Sequence, residues 1–78
     1  MRLRVGDLVK ITKSNIPGNL NVICTIIDAD LDQNGYWVRS FIPIINAFGE
    51  TVLDGYVDED AVSKVSDLSI LEKIIYGI

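Results

Sequence analysis

The sequence predicts a mainly β domain. Five short strands close into a small barrel over residues 1–65, and a short C-terminal helix follows over residues 66–78. Three observations predict it. Short runs of alternating or β-branched apolar residues recur along the first 65 positions. Clusters of Gly, Pro, Asn and Asp separate those runs. The last stretch changes from a spacing of two to spacings of three and four.

Arg2–Thr12 alternates, with Leu3, Val5, Val9 and Ile11 apolar and Arg2, Arg4, Lys10 and Thr12 between them. This predicts a strand with one buried face and a bend at Val5-Gly6-Asp7. Lys13–Asn21 is dense in turn residues, and Pro17-Gly18 suits the middle of a type II turn. Val22–Asp28 is apolar and β-branched, as expected of a central strand buried on both faces. Asp30–Gly35 is a loop, and its Asn34-Gly35 pair is a strong hairpin signal. Tyr36–Ile45 is the next strand. Pro43 has no N–H for the ladder, so that end is an edge or a bulge. Asn46–Glu50 is a second turn, Thr51–Val57 a strand, Asp58-Glu59-Asp60 a tight or 3₁₀ turn, and Ala61–Val65 a final short strand.

In residues 66–78, Leu68, Leu71 and Ile75, with Ile70 and Ile74, fall at helical spacings. Ser69-x-x-Glu72 offers a capping box and Gly77 a stop. So apolar a helix needs cover. It either plugs one end of the barrel or docks on another chain through Leu71, Ile74, Ile75 and Ile78.

Val5-Gly6-Asp7-Leu8-Val9-Lys10-Ile11 resembles the first strand of the small SH3-like barrels, including the KOW-type domains. The glycine permits a bend, the Asp caps it, and the alternating residues enter the core. Asn21-Val22-Ile23-Cys24-Thr25-Ile26-Ile27 is similar to the second strand of that family. Asn21 and Cys24 stand where the family has two glycines. Asn tolerates positive φ, so the turn survives; Cys24 departs from the strict KOW motif. Gly55–Val62 resembles the turn into the last strand. The pattern is similar to short SH3-like proteins encoded by phages. The resemblance implies a five-stranded SH3-like barrel and, if the chain is phage-encoded, a host protein as the partner that a regulator or inhibitor would bind; it implies no activity, because fold does not determine function.

Composition narrows the function classes. The chain has 78 residues, enough for one domain. It is 49% hydrophobic, with a mean hydropathy of +0.31. Apolar surface is expected to remain after folding, and with it a partner or a second copy. Histidine is absent and cysteine occurs once. That excludes Ser-His and Cys-His catalysis, an internal disulfide and a cysteine zinc site. Cys24 lies in an apolar run, which fits a buried inert thiol. Asp28-x-Asp30-x-Asp32-x-Asn34 matches the start of a calcium loop. The glycine and glutamate that complete one are replaced by Gln33 and Arg39. No cofactor is expected. The longest apolar runs, about six residues, fall short of the roughly 20 that span a bilayer, and no signal segment opens the chain. A cytoplasmic protein is expected.

The net charge is −4, which opposes phosphate-backbone binding. Acidic residues concentrate in the middle, and Asp28, Asp30, Asp32, Asp54, Asp58, Glu59 and Asp60 are the candidate contacts for a basic protein surface. A solvated acidic exterior that keeps the chain soluble is the alternative. Tyr36 and Trp37 are adjacent, so one faces the core and the other the surface. Phe48, at a turn tip, is the candidate apolar contact. Three readings follow: a protein-interaction module; a KOW-type nucleic-acid module using Arg2, Arg4, Lys10 and Lys13; and a subunit that self-associates through its helix.

Overall fold

The computed structural model describes residues 3–65. They form one antiparallel sheet of five strands: β1 (Leu8–Ile11), β2 (Ile23–Asp30), β3 (Gly35–Ile45), β4 (Thr51–Asp58) and β5 (Val62–Lys64). Two 3₁₀ turns, Pro17–Asn19 and Glu59–Ala61, precede β2 and β5. Among the described residues there is no α-helix, and so none that is long and apolar enough to cross a membrane. All five expected strands are present. The expected C-terminal helix, with Leu71, Ile74, Ile75 and Ile78, lies outside the described residues.

The spatial order is β4-β3-β2-β1-β5, and the sheet is not closed. This corrects the expected barrel. Closure would require β4 to bond β5. The 3₁₀ turn instead carries the chain across the end of the sheet to the far side of β1, where Val9 faces Lys64 and Ile11 faces Val62. β4 and β5 are therefore the two edges, at opposite ends of the strand order.

Local chemistry sets the bends. Gly6 has φ +94°, a conformation glycine adopts without steric cost. Its N–H donates to the Ile26 carbonyl at 2.8 Å, and the Arg4 N–H donates to the Asp7 carboxylate at 2.9 Å. Pro17 opens a 3₁₀ turn rather than a type II turn, since Gly18 does not take the positive φ that type II needs. Asn21 does, at +65°. Asp30 pairs with Gly35, so a loop of four residues, Leu31–Asn34, joins β2 to β3. Asn34 takes a φ of +53° there. The Asn46 side chain accepts from the Phe48 and Glu50 N–H groups, both at 2.9 Å, and fixes the second turn.

Proline predicts the main irregularity. The β3–β4 register shifts between Arg39 and Ile44, around Pro43. The Ser40 hydroxyl lies against the Leu53 and Ile42 carbonyls inside this bulge. A second shift, between Ile26 and Asp28, leaves Ile27 as the extra residue of β2.

β2 is the middle strand, and its first half is buried on both faces. Val22, Cys24 and Ile26 join Val9, Ile11, Tyr36, Val38, Ile44 and Val62 in the core. Ile23 is also fully buried, outside that cluster. Past the bulge, Ile27 and Asp28 are exposed. The core is continued toward β4 by Val52 and Val57.

Candidate protein-binding face

Alternation along β3 sends Tyr36 and Val38 into the core and Trp37 and Arg39 to the other side. Cross-strand pairing then assembles the outer face. Trp37 is opposite Asp28 on β2 and Tyr56 on β4; Gly35 is opposite Asp30 and Asp58; Arg39 is opposite Asp54. Partners directly across an antiparallel pair share a face, so four carboxylates, two aromatic rings and one guanidinium occupy one surface.

The rings meet edge to face, with centroids 5.2 Å apart. Trp37 is 46% exposed and Tyr56 37%, so the pair is open to a ligand. Tyr56 occupies this position because Gly35 has no side chain; a Cβ there would overlap the Tyr56 hydroxyl. Partial removal from water pushes the Tyr56 phenol above its ordinary pKa, and Asp30 and Asp58 push it the same way. Both carboxylates thus act on the ring electrostatically.

The acidic residues have different roles. Asp54 accepts two hydrogen bonds from Arg39, at 2.7 and 3.0 Å, and that guanidinium holds its carboxyl below the usual range. Asp60 faces Lys13 at 3.8 Å. Asp28, Asp30 and Asp58 make no ion pair among the described residues. Asp28 accepts from the N–H of Ala29, and Asp30 from that of Gln33 in the hairpin loop. The Glu59 N–H donates to the Asn34 carbonyl at 2.9 Å, which ties the second 3₁₀ turn to the hairpin. Asp58, Glu59 and Asp60 line a shallow hollow there with Gln33 and Asn34. Asp32 sits in the hairpin loop, exposed. Asp28, Asp30 and Asp32 do not gather into a group able to hold a metal ion.

Phe48 stands 88% exposed at its turn tip. Lys64 faces Asp7 at 3.8 Å, and Lys13 and Arg39 are paired as above. Cys24 is buried, and burial pushes its thiol up to about 11.

A second feature adjoins the face. A cavity of about 810 Å³ runs beside β4, lined by Val52 and by every residue from Asp54 to Asp58. Its other walls include Ile11, Lys13, Ile16, Ala61 and Phe48. Asn19 lines it too and is buried. Its side chain donates to the Ile45 carbonyl at 2.8 Å and accepts from the Ile45 N–H at 2.9 Å. This clamp fixes the first 3₁₀ turn to the end of β3.

Sequence reasoning did not find the Trp37–Tyr56 pair or Asn19. The pair depends on which residues of β3 and β4 are opposite each other, and that register is not written in either strand alone. The signal available was the parity of Trp37 against Tyr36. No known protein family, characterised protein or solved structure matches the chain.

Proposed function

We propose that this chain is a non-enzymatic protein-interaction module that takes a basic surface of a partner on the outer face of β2, β3 and β4. One observation carries the reading: an exposed Trp37–Tyr56 pair is flanked by Asp28, Asp30 and Asp58, which have no ion pair among the described residues. A guanidinium or ammonium over an aromatic face gains from the ring quadrupole, and nearby carboxylates add to that gain. Net charge of −4 steers basic partners toward the molecule. The same net charge favours a protein over a nucleic-acid partner. A buried Cys24 thiol raised to about 11 supports a binding role rather than nucleophilic chemistry.

An SH3-like relationship belongs to the same reading. It is supported by four consecutive antiparallel strands, the Gly6 bend, and a 3₁₀ turn at Glu59–Ala61 leading into β5 beside β1.

The test uses Trp37, the single tryptophan, as its own reporter. An oligo-arginine peptide is titrated into wild type and into an Asp30→Asn/Asp58→Asn variant. The double variant is expected to bind about tenfold more weakly, and wild-type affinity to fall with added salt. Equal affinity of the two proteins at all salt concentrations overturns the reading.

A further inference from the structure

Among the described residues β4 is an edge strand of eight residues, paired only with β3. Its outer N–H and C=O groups form no ladder among the described residues. Such an edge is a template for a further strand. The cavity beside it identifies what surface is offered. Asp54, Gly55, Tyr56, Val57 and Asp58 all line it, without a gap. Ile11, Lys13 and Ala61, from the other end of the strand order, line it as well, so it spans the gap between the β4 edge and the β1–β5 end.

We infer that this β4 margin accepts an extended segment of the partner protein as a sixth strand, with Lys or Arg at alternate positions and small apolar residues between them. The inference rests on the proposed basic-partner reading and adds how the partner is held. In an added strand, alternate side chains point to the surface that carries Asp54, Tyr56 and Asp58. The intervening side chains point to the side of Val57, which packs against the core. Opposite charges across a strand pair stabilise it, and like charges oppose it. A second copy of β4 would bring another Asp58, with Glu59 of the turn that follows, to a margin that already holds both. Charge therefore selects a basic strand over self-pairing.

The experiment uses the full chain and two capped hexapeptides of alternating Lys and Val. One is unmodified; the other is N-methylated at every residue, which removes the ladder donors of both its edges and keeps the charges. Trp37 fluorescence gives the affinity, and sedimentation gives the oligomeric state. The unmodified peptide is expected to bind at least about tenfold more tightly, the effect of a few backbone hydrogen bonds. Equal binding of the two peptides overturns the sixth strand and leaves the basic-partner reading standing. Tighter binding of the unmodified peptide, undiminished in Asp30→Asn/Asp58→Asn, supports the strand and overturns that reading. Binding of neither peptide at about 1 mM overturns both. A dimer whose formation excludes the peptide assigns the margin to a second copy and overturns the inference.

Discussion

Tyr56 lies against the backbone of Gly35, in space that a side chain at Gly35 would occupy. The contact joins the start of β3 to β4 and holds the phenol beside Asp30 and Asp58. Gly35→Ala is expected to push Tyr56 away from Trp37 and to cost about 1–3 kcal/mol, as overpacking does. Thermal melting measures the cost, and the Trp37 emission maximum reports the displaced ring. An unshifted emission with unchanged melting would show that the ring does not need this space.

Asn19 is a second such position. Its side chain bonds both the N–H and the C=O of Ile45. Asn19→Ala is expected to cost about 1–3 kcal/mol, because two part-buried hydrogen bonds are lost. The midpoint of urea unfolding checks this. A loss under about 0.5 kcal/mol would mean that water replaces the clamp.

Tyr36 carries the opposite expectation. It is fully buried in the core, and its hydroxyl has no hydrogen-bond partner among the described residues. Removing an unsatisfied buried hydroxyl relieves its desolvation cost. Tyr36→Phe is expected to raise stability by about 1 kcal/mol, read from the same urea midpoint. A lower midpoint would mean that the hydroxyl finds a partner in solution.

Alkaline pH should weaken the fold. Burial raises the Cys24 thiol to about 11, and the Tyr56 phenol is also raised above its ordinary value. A group whose folded pKa lies above its unfolded value contributes stability that is complete below the unfolded pKa. That contribution is lost as pH rises through the folded pKa. For Cys24 the window runs from about 9 to about 11. Melting temperature is expected to fall across it, and Cys24→Ala to flatten the part due to the thiol. An equal slope in the variant would assign the loss to other groups.

The sequence carried the strands because each is a local pattern. The Gly6 bend with its Asp7 cap, the left-handed Asn21, the Pro43 bulge and the 3₁₀ turn after Asp58 follow from residue types at single positions. Closure was not legible. Whether β4 bonds β5 depends on the path of the Glu59–Ala61 turn and on curvature accumulated over the whole sheet. For the site, the acidic residues were visible as a charge excess, but not their division. Pairing with Arg39 sets Asp54 apart from Asp30 and Asp58, and this depends on β3–β4 register across a bulge. Asn19 read as one more turn residue, since its partner is 26 positions away.

The most direct measurement is an amide-resolved NMR titration of the full chain with two probes, an oligo-arginine peptide and a single-stranded RNA. The account predicts that the peptide shifts the Trp37 indole N–H and the amides of Asp30, Tyr56 and Asp58, while the RNA shifts nothing at equal concentration. Shifts confined to Arg4, Lys10 and Lys13 on adding RNA, with the peptide silent, would contradict it.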